Sequence, residues 1–274
     1  MPQHIKLWIK ACKELNIAWE VIDEVGNFIR ITKNQQYYFF GAITPFNLHV
    51  IAKIFEDKGY TYELLKNKIN MPKTLAFVAG DWQERNPGYI KEKDIESMLK
   101  TIVNNFTLPV IIKRNTGSQG NNVFFCKDKE TIQSSLKAIF NVNSKDYDKV
   151  ALAQQYIEID REYRAVFLKN QLVLLYEKSK AEAEFIGNLS PLHWEGAKAL
   201  HITDSKILSK IQKFIEPIVP TLPLNYVGAD IALDKQGNYW LIELNGSPIY
   251  SSFIKNNNPQ IIIEMFKIML QTLD

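Results

Sequence analysis

Two carboxylates and an amide near the C-terminal end of the sequence have a spacing that suits a divalent cation. The stretch GADIALDKQGNYWLIELNGSP predicts two antiparallel strands joined by a two-residue turn at Gln236–Gly237. Pairing outward from this turn places Asp230 opposite Glu243, and Asn245 follows on the same face because residues two apart share a face. Carboxylates this close repel each other, and a hard cation such as Mg²⁺, held with phosphate oxygens and water, relieves the repulsion. A solvated hairpin face is the alternative, which the apolar residues around Glu243 disfavour.

A lysine beside a glycine-containing loop forms a second group. In VIIKRNTGSQGNNV, Lys113 stands near the end of a predicted strand and precedes a loop that contains Gly117, Ser118, Gln119 and Gly120. Glycines allow backbone conformations that turn successive N–H groups toward an anion, and an ammonium beside them suits a nucleotide phosphate. A hairpin with one solvated lysine is the alternative, and the glycine spacing is not that of a Walker A loop.

A third group lies in LAQQYIEIDREYR, where an apolar strand runs into polar and charged residues. Gln155, Tyr156 and Ile157 could present backbone groups to a flat base, with Glu158 or Glu162 near a ribose or a metal. An amphipathic strand with a charged turn is the alternative. Arginine usage favours the functional interpretation, because two of the chain's five arginines lie in this stretch and a third follows the lysine of the second group.

The order of predicted elements indicates an α+β fold. DIESMLKTIVNNF has apolar residues on one helical face, and TPFNLHVIAKIFEDKGY predicts one helix that Thr44 caps and Gly59 ends. EYRAVFLKN and QLVLLYEKS predict two strands that meet in a tight hairpin at Asn170–Gln171. Hairpins mixed with helices favour α+β lobes over one doubly wound parallel sheet.

Composition restricts the class of protein. The chain has 274 residues, 46% of them hydrophobic and 23% charged, which is typical of a soluble globular protein. A net charge of +3 without a dense basic stripe argues against a nucleic-acid partner. Cys12 and Cys126 have no metal or redox spacing and are expected to be core thiols in a reducing compartment. Without a signal peptide or a run of about 20 apolar residues, we expect a cytoplasmic protein with no membrane partner.

Taken together and in this order, these stretches resemble the ATP-grasp superfamily, and in particular its RimK-type glutamate ligases, with glutathione synthetase and D-alanine–D-alanine ligase more distant. The resemblance rests on DKGYTYELLKNKINMPKT, PVIIKRNTGSQGNNV, AQQYIEIDREYR, GADIALDKQGNYWLIELNGSP and, more loosely, FIGNLSPLHWEGA. It implies two α+β lobes that sandwich ATP. Residues 1–44 would form a truncated N-terminal subdomain and residues 45–274 the ATP-grasp domain, with lobe one at about 72–150 and lobe two at about 151–274.

The resemblance also implies which residues bind the nucleotide. Lys113 would bind the ATP phosphates and take part in catalysis, and Lys73 occupies the place where a second lysine on the phosphate side is sometimes found. The loop Gly117–Gly120 would close over the triphosphate. The segment Gln155–Ile157 would face the adenine, and Glu162 matches an acid near the ribose or nucleotide.

The remaining family positions concern the metal and the reacting groups. By resemblance, Asp230, Glu243 and Asn245 are the Mg²⁺ ligands, Arg164 faces the substrate and the transferred phosphate, and Asn188 lies on the substrate side. The implied activity is that of an ATP- and Mg²⁺-dependent carboxylate–amine ligase that works through an acyl-phosphate. A kinase on the same fold and a non-catalytic ATP-binding regulatory module are the alternatives.

Two departures from the family leave the substrates open. Only about 44 residues precede the ATP-grasp part, where family members usually have a larger N-terminal domain. RimK-type ligases carry an arginine before the substrate-side Ser–Asn, and this chain has Ile186, Gly187 and Asn188 there. We therefore expect an amino-acid or peptide carboxylate and an amine as substrates without naming glutamate, and a homo-oligomer is left open.

Overall fold

Three antiparallel sheets and the helices packed on them make up the fold. The computed structural model describes residues 1–80, 91–117, 120–181, 192 and 194–273. Their mixture of helices and antiparallel sheets confirms the predicted α+β class. Within these residues, no helix has both the length and the apolar character needed to cross a bilayer.

The N-terminal segment packs against the C-terminal end of the chain. It consists of helix α1 (Gln3–Glu14) and a sheet of β1 (Ala18–Val21), β2 (Phe28–Thr32) and β3 (Gln36–Phe40). The buried side of α1 carries Trp8, whose ring stacks on Phe266 with centroids 3.7 Å apart. Cys12 is buried in the same hydrophobic cluster and its thiol is free, as predicted.

The second sheet has helices on one face. Its strands, in spatial order, are β4 (Thr74–Val78), β7 (Val150–Gln155), β5 (Val110–Arg114) and β6 (Val123–Cys126). Helices α4 (Ile95–Asn105) and α5 (Lys129–Ile139) each begin with a capping box, formed by Asp94 with Ser97 and by Asp128 with Thr131. Val110 and Ile112 of β5 belong to the same hydrophobic cluster as residues of these helices, so strand alternation turns Lys113 to the opposite face.

The third sheet has five strands and apolar residues on both faces. Its spatial order is β10 (Lys198–His201), β9 (Gln171–Ser179), β8 (Ile159–Leu168), β11 (Tyr226–Asp234) and β12 (Tyr239–Asn245). One face packs against α2 (His49–Glu56), α3 (Lys58–Leu65) and α6 (Ser205–Ile215), which a short 3₁₀ turn Glu216–Ile218 follows. The other face packs against α1, α7 (Ser251–Asn256) and α8 (Gln260–Gln271).

The single helix predicted from Thr44 to Gly59 is wrong, because this segment forms two helices. Helix α2 begins only at His49, so Thr44 caps nothing. It ends at Glu56 because the carboxylate of Asp57 accepts the N–H of Tyr60 at 2.8 Å and starts α3. Gly59 lies within α3, where its N–H donates to the Asn115 side chain at 2.8 Å.

The β8–β9 hairpin lies one residue earlier than predicted. Leu168 pairs with Gln171, so the two-residue loop is Lys169–Asn170. Both loop residues have positive φ, 47° and 67°, as a tight hairpin turn requires.

Two deviations from the predicted β11–β12 hairpin compensate for each other. The turn contains the three residues 235–237, with φ of +87° at Gly237, so Leu233 pairs with Tyr239. This shifts the register by one residue. A β-bulge after Asp230 reverses the shift, and Asp230 lies opposite Glu243 as predicted.

Candidate active site

One face of the five-stranded sheet changes from apolar to charged along its strands. On β8, Val166 packs in the core, and Arg164, two residues earlier in the chain, lies on the same face. On β9, Tyr176 packs in the core and Lys178 follows. Asp230 of the adjacent strand β11 is the direct partner of Arg164 in the register. Strand alternation therefore brings these charged side chains together at the edge of an apolar core.

The charged side chains form a buried chain of alternating sign. The Arg164 guanidinium donates through Nε to Asp230 Oδ1 at 2.5 Å and through Nη2 to Oδ2 at 3.1 Å. Lys178 Nζ lies 2.8 Å from Asp230 Oδ2 and 2.5 Å from Glu162 Oε1. Burial raises the pKa of Asp230, but the two cations outweigh burial and lower that pKa to about 2. Burial also raises the pKa of Glu162, an effect that Lys178 opposes.

Lys113 approaches the same region from the four-stranded sheet. Its ammonium is buried and donates to Gln154 Oε1 at 2.8 Å, and Gln154 Nε2 donates in turn to Thr74 Oγ1 at 3.0 Å. Burial and the nearby Lys58 lower the pKa of Lys113 to about 8, while Glu243 and Asp230 oppose that change. These influences show that Lys113 lies within electrostatic reach of carboxylates on the other sheet.

Lys58, which the sequence analysis did not assign to the site, connects the two sheets. It is the first residue of α3, and its Nζ donates to Gly117 O at 2.5 Å and to Asn115 O at 3.5 Å. The same Nζ lies 3.6 Å from Glu243 Oε2. Lys58 therefore joins the base of the glycine-containing loop to a predicted metal ligand.

The site has more cationic than anionic groups among the described residues. Four cations and three carboxylates give one excess positive charge. The cations are Lys58, Lys113, Arg164 and Lys178, and the carboxylates are Glu162, Asp230 and Glu243. A cleft with this balance attracts a polyanion such as a triphosphate.

The three predicted metal ligands lie together, with different numbers of free oxygen positions. In the register Asp230 is opposite Glu243, and Asn245 ends the same strand. Among the described contacts, the carboxylate of Glu243 has one ion pair, with Lys58, and the Asn245 amide oxygen accepts the N–H of Ser247 at 3.0 Å. Asp230 already accepts three of the roughly four hydrogen bonds a carboxylate can accept. These three side chains have oxygens available for a cation: those of Glu243 and Asn245, and one remaining lone-pair position on the Asp230 carboxylate.

Among the described residues, no larger cluster of metal-binding side chains adjoins these three residues. Across the part of the chain that the structure describes, no group of three or more His, Cys, Asp or Glu side chains could hold a metal ion. A cation here would thus depend on two carboxylates and an amide, completed by phosphate oxygens and water, which is a donor set that Mg²⁺ accepts.

A cleft of about 150 Å³ lies where the chain passes from the four-stranded to the five-stranded sheet. Tyr156 and Ile157 of the connecting segment line it, together with Glu162 and Lys178 of the charged chain and Trp194. The preceding residue Gln155 does not line the cleft, and its side-chain Oε1 accepts the N–H of Lys73 at 3.2 Å. The cleft thus has an apolar and aromatic part beside a charged part, as a nucleoside phosphate requires.

Comparison with known proteins identifies the fold. Residues 57–269 match the model of the RimK-like ATP-grasp domain. The chain belongs to this family. The predicted resemblance to the ATP-grasp superfamily and the predicted ATP-grasp fold are therefore confirmed, and known ATP-grasp ligases use ATP.

Curated relatives of this ATP-grasp domain are named as ligases. The alpha-aminoadipate–LysW ligase LysX of Sulfurisphaera tokodaii is 24% identical over 210 residues, which cover 74% of this chain and 63% of the relative. A protein named probable alpha-L-glutamate ligase 2, of Pseudoalteromonas atlantica, is 26% identical over 196 residues, covering 70% of this chain and 56% of the relative. The chain spans less than two thirds of the length of these two relatives.

Solved structures show the same fold at low sequence identity. D-alanine–D-alanine ligase from Bacillus anthracis superposes with a TM-score of 0.54 at 16% identity, over 80% of this chain and 65% of that one. The bifunctional glutathione synthetase from Pasteurella multocida has a TM-score of 0.57 at 14% identity, over 97% of this chain and 44% of that one. At this level of identity the likeness supports the fold alone.

Some predicted site residues of the ATP-grasp domain lie apart from the others or outside the described residues. The Lys73 ammonium donates to Asn105 O at 3.0 Å and lies over the Phe106 ring, so its described contacts differ from those of Lys113. Ser118, Gln119 and Asn188 lie outside the described residues. Gly117 and Gly120 flank Ser118 and Gln119. Gly120 has a φ of +70°, which favours glycine, and a Cβ at Gly117 would lie only 2.2 Å from Arg114 Nε.

One of the two site cations that the sequence analysis missed could have been found with the signal that identified Glu243. Lys178 follows a run of apolar residues in QLVLLYEKS and points to the same face as a buried tyrosine. Lys58 lies in the quoted stretch DKGYTYELL, but nothing in its local pattern indicates a contact with Gly117 or Glu243. Lys178 had a local signal and Lys58 had none.

Proposed function

We propose that this RimK-like ATP-grasp domain catalyses the ATP- and Mg²⁺-dependent joining of a carboxylate to an amine. The observation that carries the proposal is the arrangement of charges. Lys113 and Lys58 approach from one side, the chain Glu162–Lys178–Asp230–Arg164 from the other, and Glu243 and Asn245 keep oxygens available between them. Such a site can bind a triphosphate and neutralise the charge of a transferred phosphoryl group.

The nucleotide would lie between the two sheets. Lys113 and Lys58 would hold its phosphates, because both ammonium groups are near the base of the loop that begins at Gly117. The base would occupy the cleft beside the segment 155–157, with Glu162 near the ribose. Mg²⁺ bound by Glu243, Asn245 and the remaining oxygen direction of Asp230 would supply charge neutralisation at the phosphates.

Arg164 would steady the reacting groups. Its Nε and one Nη2 hydrogen are used by Asp230, which fixes the guanidinium plane and leaves the Nη1 hydrogens to donate. An oxygen of the substrate carboxylate would attack the γ-phosphorus, and the bond to the ADP oxygen would break. The amine nitrogen would then attack the carbonyl carbon, release phosphate and lose a proton. Asn188 is proposed on the substrate side of this reaction.

The substrates are proposed as an amino acid or peptide carboxylate and an amine. The names of the relatives support this class, since one ligates alpha-aminoadipate to LysW and another is named a glutamate ligase. A cytoplasmic location remains a prediction of the sequence, and a homo-oligomer stays open.

Trapping with hydroxylamine tests the ligase against its alternatives. The protein is incubated with ATP, Mg²⁺, hydroxylamine and a pool of amino acids and short peptides, and the products are read by mass spectrometry. We expect a hydroxamate together with ADP, because hydroxylamine intercepts an acyl-phosphate. A phosphoester without hydroxamate would indicate a kinase, and negligible ADP with every substrate would indicate a regulatory module.

A substitution at Arg164 provides the control for this assay. Arg164→Lys keeps the positive charge and loses the planar fork that holds Asp230 and the substrate, so the hydroxamate yield should fall about tenfold or more. Arg30→Lys is the matched variant, since Arg30 is paired with Glu20 on the N-terminal sheet. An equal yield from the two variants would remove Arg164 from the proposed site.

We also expect Lys113→Ala to weaken ATP binding by about tenfold to a hundredfold, because it removes a charge-assisted contact with the phosphates. Adenosine affinity should stay unchanged, since the cleft for the base is retained. Calorimetric titration with both ligands measures the two effects. Equal losses for ATP and adenosine would mean that Lys113 supports the fold through Gln154 instead.

Lys73→Ala in the same titration tests the second predicted phosphate lysine. A selective loss of ATP affinity would support that assignment. Unchanged ATP affinity would show that Lys73 does not bind the phosphates and only contacts Asn105 and Phe106.

A further inference from the structure

The side chain of Asn47 closes the end of the β11–β12 ladder, next to the proposed metal ligands. Its Nδ2 donates to Tyr226 O at 2.6 Å and to Gly246 O at 3.2 Å, and its Oδ1 accepts the N–H of Tyr226 at 3.2 Å. Asn47 lies in the segment that leads into α2, far in sequence from both strands.

The backbone of β12 leaves the ladder at this point. The last described pair is Gly228 with Asn245, while Tyr226 continues to pair with Leu168 on its other side. The β12-facing backbone groups of Tyr226 therefore have no further β12 partner, and a buried N–H or C=O without a partner is costly. The Asn47 amide donates to the C=O of Tyr226 and accepts its N–H, and it thereby replaces the backbone partner that a longer β12 would have supplied.

Apolar contacts on both sides hold Asn47 in this place. The neighbouring Phe46 ring packs 5.9 Å from the Tyr226 ring and 6.2 Å from the Trp8 ring. On the other side, a Cβ at Gly246 would lie 3.1 Å from the Phe55 ring and 3.6 Å from Asn47 Nδ2. The end of β12 thus approaches α2 closely, and Asn47 stands between them.

The contact to Gly246 bears directly on Asn245. Asn245 ends β12 and its side chain accepts the N–H of Ser247 at 3.0 Å, so residues 245–247 form a compact turn. Asn47 anchors the middle of this turn through the carbonyl of Gly246. Loss of this anchor would free the turn and spread the positions of the Asn245 amide oxygen relative to Glu243.

We infer that Asn47 is a positioning residue that sets the orientation of Asn245 toward the metal. The inference rests on the proposed function, because it takes Glu243 and Asn245 as cation ligands. Asn47 itself touches neither the metal nor the substrate. It acts through the backbone of Gly246, the residue that follows the proposed ligand Asn245.

The test measures metal-dependent nucleotide binding without turnover. Affinity for the non-hydrolysable analogue adenylyl imidodiphosphate is determined by calorimetry in EDTA and over a Mg²⁺ series. Asn47→Ala removes all three hydrogen bonds, and Asn47→Asp keeps the acceptor for the Tyr226 N–H but loses both donated bonds. For both variants we expect metal-free nucleotide affinity within about twofold of wild type and an apparent Mg²⁺ dissociation constant raised about tenfold or more.

Asn70→Ala is the matched control, because the Asn70 side chain also donates a hydrogen bond to the backbone of β12. Asn70 Nδ2 donates to Tyr239 O at 2.8 Å, at the opposite end of β12 from Asn245. Its removal costs the same kind of side-chain to backbone bond, so thermal stability should fall while the Mg²⁺ dependence stays at the wild-type value.

Each outcome decides between distinct conclusions. If Asn47→Ala and Asn70→Ala change the Mg²⁺ dependence equally or not at all, Asn47 does not position the ligand. If the Asn47 variants lose their native circular dichroism, Asn47 is a residue of the fold and the inference is overturned. Wild-type protein whose nucleotide affinity is independent of Mg²⁺ would instead contradict the proposed function.

Discussion

Glu243→Ala should lower turnover by about a hundredfold or more while the fold is retained. The substitution removes the proposed metal ligand with the most available oxygen positions, and Asn245 with one direction of Asp230 cannot replace its negative charge. Stability should change little because the side chain is partly exposed and its described ion pair with Lys58 is 3.6 Å long. Turnover is followed as ADP release, and folding as the urea midpoint.

Two further variants show whether the loss comes from the metal. Glu243→Gln keeps the volume and loses the charge, so it should resemble Glu243→Ala. Glu20→Ala removes another strand glutamate that forms an ion pair, on the N-terminal sheet, and should leave turnover unchanged. Wild-type turnover in Glu243→Ala would exclude this residue as a metal ligand.

Lys178→Met should be the most destabilising of the charge substitutions, by about 3–5 kcal/mol. The Lys178 side chain is 4% exposed and its ammonium contacts both Asp230 and Glu162, so its removal leaves two buried carboxylates with reduced compensation. Methionine has a stem of similar length, which keeps the packing loss small. The free energy of unfolding from urea titration measures the effect.

A surface pair provides the contrast for Lys178. Lys235 pairs with Glu158, and both side chains are more than half exposed, at 58% and 59%. Lys235→Met should therefore leave the free energy of unfolding almost unchanged. Adding Glu162→Gln to Lys178→Met should recover part of the loss, because it removes one of the uncompensated charges. Equal losses for the two lysine variants would show that the buried charge chain adds little to stability.

Much of the fold follows from local sequence patterns. Alternation and helical spacing predicted α4 and the strands β5, β8, β9, β11 and β12, because the face that a side chain occupies depends only on its position in a regular element. The five stretches that carry the resemblance, taken together and in order, indicated the family that residues 57–269 match. Local patterns failed where a side chain interrupts an element, as Asp57 does between α2 and α3.

The β11–β12 hairpin shows how a correct pairing can rest on an incorrect local detail. Strict alternation would have placed Leu241 on the same face as Glu243. The bulge allows Leu241 and Leu244 both to enter the core while Glu243 faces the site. Burial of two leucines selects this irregularity, and burial is a property of the packed sheet.

Residue types and their spacing along the chain indicated the candidate metal and nucleotide ligands, whereas packing between distant elements brought the remaining site residues to them. Asp230, Glu243 and Asn245 were within reach of sequence reasoning because one hairpin holds all three. Lys58 and Asn47 join the site or its support through contacts between residues that lie 57 to 199 positions apart, and Lys178 joins it through a face whose burial depends on α1 and α8. The spacing of residues within one element fixes local geometry, but the distance between elements is set by side-chain packing across the whole core, which no local pattern contains.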